Sequence, residues 1–129
     1  MKKVKGTFEV KMTPRDMGED AAVGVMNLDK KYSGSLNAKG SGEMLAMQSG
    51  VEGSAGYTAM ERVTGELDGK EGSFALMHFG IMNRGTPTLT IKIVPDSGTG
   101  NLNGISGEMN IIIENGEHLY ELEYDFTEI

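Results

Sequence analysis

Residues 64–74 read TGELDGKEGSF, and the pair Asp68-Gly69 at their centre decides the fold. Asp-Gly suits a two-residue type I′ hairpin, which needs positive φ at both central positions. Apolar residues alternate on either side of it. Tyr57, Ala59, Glu61, Val63 and Leu67 share one face of the strand before the turn, and Thr58, Met60, Arg62, Thr64 and Glu66 share the other. A period of two is the signature of a β-strand. Nearly the same phrase occurs as SGSLNAKGSGEM from Ser33 and as TGNLNGISGEM from Thr99. Each copy has Ser or Thr, a glycine, a leucine, then Asn or Asp, and a further glycine leading into Ser or Glu. The leucine is expected to close one strand and the small polar pair to turn the chain. The spacing of the copies matches two strands plus their turns, so the phrase marks hairpins in a meander and not a short-period solenoid.

Outward from this hairpin the same period holds. In VKGTFEVKM, Val4, Phe8, Val10 and Met12 oppose Lys5, Thr7, Glu9 and Lys11, the pattern of a half-buried strand. TPRDMGED reads as a loop. Strands are expected over 4–12, 22–36, 40–51, 56–67, 70–82, 86–94, 105–114 and 117–126, with Asn115-Gly116 turning the last hairpin. No window offers helical spacing free of internal glycines. The reading is all-β: a single domain over 1–129, an eight-stranded antiparallel meander β-barrel whose closure removes the sheet edges. Nineteen glycines fit strands that bend or approach closely around such a barrel.

Composition narrows the partners. A chain of 129 residues, 38% of them hydrophobic, is long enough for one ordinary core. Nineteen acidic against twelve basic residues leave a net charge of −7, which repels phosphate backbones and anionic lipid. Nucleic acid and membrane are therefore not expected partners. The absence of cysteine removes disulfides, thiolate nucleophiles and cysteine zinc sites. No apolar stretch has the length of a signal peptide core or a membrane span, and a cytoplasmic location is expected. DSGTGNLNG lacks the GK[ST] ending of a phosphate loop and is assigned to turn geometry. There is no serine elbow and no HExxH, and no cofactor is expected.

Three blocks, ERVTGELDGKEGSFALMHFG, VPDSGTGNLNGISGE and GEHLYELEYDF, resemble a small uncharacterised bacterial family, a domain of unknown function. The likeness runs from KGTFEV to EYDF, with one departure in the short, proline-interrupted stretch 83–88. It implies an eight-stranded barrel similar to that of plant allene oxide cyclase. It implies no activity. Allene oxide cyclase rearranges an unstable lipid epoxide inside its barrel, but no local motif here matches its catalytic residues, and none is carried over.

A barrel of eight strands is filled by side chains or holds one small ligand, so inward polar groups matter most. With Asp68-Gly69 at the turn, Leu67 pairs with Lys70 and Glu61 with Leu76, which makes His78 a diagonal neighbour of Glu61 on the inner face. A one-residue slip would separate them. By the same parity Leu28, Lys30, Tyr32 and Leu36 share a face, and His118, Tyr120, Leu122, Tyr124 and Phe126 form the inner face of the last strand. A buried charge needs a partner, so Lys30 is expected to meet Glu61 or another acid. Glu61 and His78 are the candidate catalytic pair, able to move a proton near neutral pH. Lys30, Tyr57, His118, Tyr120 and Tyr124 are the candidate ligand-binding residues. The bland alternative is a hydrogen-bonded plug. A metal site from Glu61, His78 and His118 lacks any supporting histidine spacing, and none is expected.

Met44, Met47, Met60, Met77 and Met82 suit an adaptable apolar pocket, with ordinary core filling the plainer expectation. SFALMHFGIM is apolar on both faces. One face fills the barrel, and the other calls for a cover that a second subunit would supply, so a homo-oligomer is expected. Three functions follow: a barrel that binds a small, mostly apolar molecule, an isomerase or cyclase using the same pocket, and a solid-cored oligomeric interaction module.

Overall fold

The computed structural model describes residues 1–16, 18 and 22–127. Its strands are β1 (Lys2–Arg15), β2 (Gly24–Gly34), β3 (Leu36–Gln48), β4 (Ala55–Leu67), β5 (Lys70–Asn83), β6 (Thr86–Ile93), β7 (Thr99–Gly100), β8 (Ile105–Glu114) and β9 (Glu117–Phe126). The order β4-β3-β2-β1-β9-β8-β6-β5, with β4 pairing β5, closes eight antiparallel strands into a barrel. The two-residue β7 lies against the start of β5 at Gly72 and Ser73.

Turn chemistry sets the register. Asp68 and Gly69 have φ of 50° and 82°, and Asn115 and Gly116 have 51° and 79°, as a type I′ turn requires. Leu67 pairs with Lys70 and Glu61 with Leu76, the register read from the turn. A third turn of the same kind uses Arg84 and Gly85, with φ of 48° and 88°. Its first position lacks the Asn or Asp that would have announced it, and the proline-interrupted stretch 83–88 proves to be a tight hairpin. β1 extends to Arg15, so Thr13 to Arg15 belong to a strand and not to the loop assigned to them; Met17, Glu19, Asp20 and Ala21 lie outside the described residues.

The repeated phrase has a different meaning from the one its spacing suggests. In the middle and third copies a turn follows the leucine, at Asp68-Gly69 and at Asn103-Gly104, where Ile105 N donates to Leu102 O at 3.2 Å. Only in the middle copy does the leucine close a strand. In the first copy the chain turns before Leu36, at Gly34 with φ of 110°, and β3 starts at that leucine. In the third, Thr99-Gly100 is β7 and Leu102 sits in the loop before β8. The common feature is where the leucines go. Leu36 faces Leu67 directly across β3 and β4, and Leu36, Leu67 and Leu102 are each 1% exposed. Together with Phe74 and Ile105 they belong to the core that stoppers one end of the barrel.

The other end is unstoppered. Met12, Met82, Leu89 and Ile113 have inward parity, yet they are 51, 39, 38 and 69% exposed. The wall is also incomplete there. β6 and β8 share only the pairs Ile91–Met109 and Lys92–Glu108, and β1 leaves β9 after Phe8–His118. Beyond Met109, β8 is thus not laddered to β6 near the opening, whereas β9 stays paired with β1 to within one residue of its start.

The methionines lie elsewhere than expected. Met47, Met60 and Met77 are about half exposed on the outside of the barrel, Met82 is at the open rim and Met44 is half-buried. Met60 and Met77 face outward because even positions of β4 and odd positions of β5 do, and Met47 does so on β3, whereas Met44 and Met82 keep inward parity towards the open end.

Candidate functional site

Midway along the barrel, three strands bring four polar side chains together. Glu61 projects inward from β4, Lys30 and Tyr32 from β2, and His78 from β5. Lys30 Nζ donates to Glu61 Oε1 at 3.1 Å, and His78 Nε2 lies 2.9 Å from the same oxygen. The Tyr32 hydroxyl donates to Glu61 Oε2 at 2.5 Å. All four side chains are buried.

β2 and β4 are separated by β3, and the cluster exists because β3 has no side chains at that level. Lys30 pairs with Gly40, and Glu61 pairs with Gly42. A Cβ on Gly40 would occupy the position of Glu61 Oε2 and touch the Tyr32 ring. The segment Gly40-Ser41-Gly42 is therefore a gap through which an acid and a base two strands apart can meet.

The carboxylate is held ionised. Burial pushes its pKa up, but the His78 hydrogen bond, the Lys30 charge and the Tyr32 hydrogen bond together outweigh it and leave the pKa below the ordinary glutamate value. Burial, reinforced by the Glu61 charge, raises the Tyr32 phenol, which stays a donor. Lys30 also lies over the rings of Phe8 and Tyr32, 5.3 and 5.9 Å from their centroids.

The cluster is satisfied on the Glu61 side and unsaturated on the other. An ammonium has three donors, and Lys30 uses one on a carboxylate. Nδ1 of His78 makes no hydrogen bond among the described residues. Every fully buried polar side-chain atom there has a partner, so Nδ1, on a side chain only 5% exposed, keeps a small accessible area. Tyr57, half-buried on β4, lies over Gly80, where a Cβ would collide with its ring. Its phenol is raised by burial, and it has no hydrogen-bond partner among the described residues.

The remaining candidates are placed apart. His118 is half-buried at the β1–β9 seam, its ring 5.2 Å from Phe8, beside a cleft of about 400 Å³ lined by Val10 and Gly116. Tyr120 pins the β2–β3 turn: its hydroxyl accepts from Leu36 N at 3.0 Å and lies 3.0 Å from the Ser33 carbonyl oxygen. Gly6 makes room for that hydroxyl. Tyr124 donates to the Asp68 carboxylate at the stoppered end, where burial pushes its phenol up to about 12. Among the described residues no three His, Asp or Glu side chains come together as a metal site. Tyr32 was not singled out beforehand, although it shares the parity of Lys30; a tyrosine two residues from an inward lysine was the available signal.

The structure of a DUF3224 family protein of unknown function from Shewanella oneidensis MR-1 superposes with a TM-score of 0.94. The two chains are 47% identical, over 100% of this chain and 99% of that one. Among curated proteins there is no match. The model of the family described as protein of unknown function (DUF3224) matches residues 4–124, and with a full-length relative of that family at this identity, the chain belongs to DUF3224.

Proposed function

We propose that the open half of the barrel binds a small, mostly apolar molecule that carries a hydrogen-bond acceptor. The observation that supports this is the contrast at the open end: inward apolar residues Met12, Met82, Leu89 and Ile113 remain exposed above a polar floor. Apolar walls with a few convergent polar groups are the usual make-up of a small-molecule site. Lys30 supplies the free donors for the acceptor, His78 a second polar contact, and the Tyr57 hydroxyl a third. Glu61 contacts no ligand in this reading. Its carboxylate orients Lys30 and His78 and neutralises the buried cation.

Titration with 1-anilinonaphthalene-8-sulfonate, an apolar probe with an acceptor group, tests it. Saturable binding to the wild type is expected, and Leu89→Glu at the rim is expected to weaken it at least tenfold, by lost apolar contact and repulsion of the sulfonate, without touching the floor. Absence of saturable binding, or binding indifferent to Leu89→Glu, would sink the proposal. Native mass spectrometry of protein taken gently from its own host supplies the identity of any retained compound.

A second reading, an isomerase or cyclase in the same pocket, draws on the His78 ring. One nitrogen is held by a buried carboxylate and the other has no hydrogen-bond partner among the described residues, an arrangement by which a carboxylate can orient a histidine for proton transfer. His78 then carries the proton, and Glu61 is a positioning residue. A retained ligand that is converted by the wild type and bound unconverted by His78→Gln distinguishes this reading from simple binding.

A further inference from the structure

The outer faces of β3, β4 and β5 depart from the polar-out pattern of the rest of the barrel. Leu45, Met47, Met60, Met77, Phe79 and Ile81 project outward on adjacent strands, each 44 to 57% exposed. The register makes them one surface. Met60 pairs with Met77, Thr58 joins Leu45 on one side to Phe79 on the other, and Gly56 joins Met47 to Ile81. Six half-exposed side chains of this size present on the order of 500–600 Å² of contiguous apolar surface, at the top of the range for a monomer. That is most of the ~800 Å² per partner in a standard interface.

From the shape and charge of this surface we infer that it docks on the same surface of a second copy, about a twofold axis parallel to the strands and lying between β4 and β5. Such an axis exchanges β4 with β5 and β3 with β6 while keeping the level along the strands. The β4 and β5 part of the patch thus meets itself, while Leu45 and Met47 of β3 lie over the methyl-bearing Thr90 and Thr88 of β6. Met60 then faces the second copy's Met77, and each large side chain of β5 meets a small residue of β4. Phe79 lies over Thr58 and Ile81 over Gly56, a glycine whose Cβ position is open space. Charge follows the same exchange. Glu43, beside Met60 on β3, and Lys92, beside Met77 on β6, occupy opposite flanks of one row. Glu43 is bonded by Arg15 of its own chain at 2.7 Å and Lys92 lies 3.9 Å from Glu108, and each keeps lone pairs or donors for a partner across the surface. The axis sets each Glu43 against the other copy's Lys92. An axis across the strands through the Met60–Met77 row would set Glu43 against Glu43, which like charges disfavour, and one through the central Thr58 row would press Glu43 onto the apolar Met47. Isologous contact of one patch with itself is the commonest way soluble chains assemble.

Sedimentation velocity of the full chain at about 10 µM, within the micromolar range of ordinary interfaces, tests the inference. A species of twice the 13.9 kDa chain mass is expected. Phe79→Glu is expected to weaken the dimer at least a hundredfold and leave the far-ultraviolet circular dichroism unchanged. Glu43→Lys is expected to weaken it, and Glu43→Lys with Lys92→Glu to restore it, a rescue that loss of folding cannot mimic. A wild type of single-chain mass, a dimer that survives Phe79→Glu, or a double charge exchange no better than either single one overturns the inference.

Discussion

The two ends of this barrel are built from the same alternating strands, yet one is sealed and the other is not. At the sealed end Leu36, Leu67 and Leu102 converge from three separate hairpin regions and are 1% exposed. At the open end Met12, Leu89 and Ile113 obey the same inward parity and are 38 to 69% exposed. Strand alternation is common to both, so alternation alone does not make a core. The difference lies in what crosses the opening. The loop that carries Leu102 folds under the sealed end and packs on β5 through β7, whereas at the open end the β6–β8 ladder has stopped before the rim. The polar cluster lies between these two regimes, with the sealed end on one side and the unsealed end on the other.

The sharpest way to break this comparison is to truncate equivalent residues at the two ends. Leu67→Ala removes a fully buried side chain from the sealed end and is expected to cost about 2–5 kcal/mol. Ile113→Ala at the rim is expected to stay within about 0.5 kcal/mol, as for other exposed positions. Urea unfolding of both variants reads the difference, and equal losses would mean that the open end is packed after all.

A smaller effect probes the boundary between the regimes. Gly40→Ala places a methyl where Glu61 Oε2 lies, and overpacking of this kind is expected to cost about 1–3 kcal/mol. A neutral result in the same unfolding assay would show that Glu61 can move aside and that the gap in β3 is not what assembles the cluster.

The smallest expected effect is in pH dependence. Folding lowers the Glu61 pKa, so the native state binds fewer protons than the unfolded chain around that value. The stabilisation is full above the ordinary glutamate pKa of about 4.3 and is lost as pH falls towards the lower folded value. Glu61→Gln is expected to flatten the loss of stability as pH falls below about 4.3. An identical acid profile in the two proteins would leave the cluster without a role in that window.

Much of the architecture was legible because β structure writes its geometry locally. Period two assigned Glu61, His78 and Lys30 to the inner face, and Asp68-Gly69 set the register that makes Glu61 and His78 neighbours. That Lys30 would be paired followed from the cost of an unpaired buried charge. That its partner would be Glu61, reached over Gly40, was one option among the acids, because which strands lie two apart depends on closure. Tyr120 and Tyr124 share the parity of the site and serve elsewhere: one pins the β2–β3 turn, the other binds Asp68. Parity fixes the face of a residue and is silent about its level along the barrel axis. The repeated leucine phrase shows the same limit, since its three copies turn the chain differently and are united only by the end they seal.

By itself, then, the sequence determined strand number, direction, register at the Asp-Gly and Asn-Gly turns, and the inward or outward sense of nearly every side chain, all of which are set by neighbours one or two residues away. Tertiary structure alone decided which end is stoppered, that Tyr32 completes the Glu61 cluster, and that six apolar residues from three strands merge into one outer surface. Those are relations between residues distant in the chain, and only closure of the sheet, with its stagger from strand to strand, brings them to a common level.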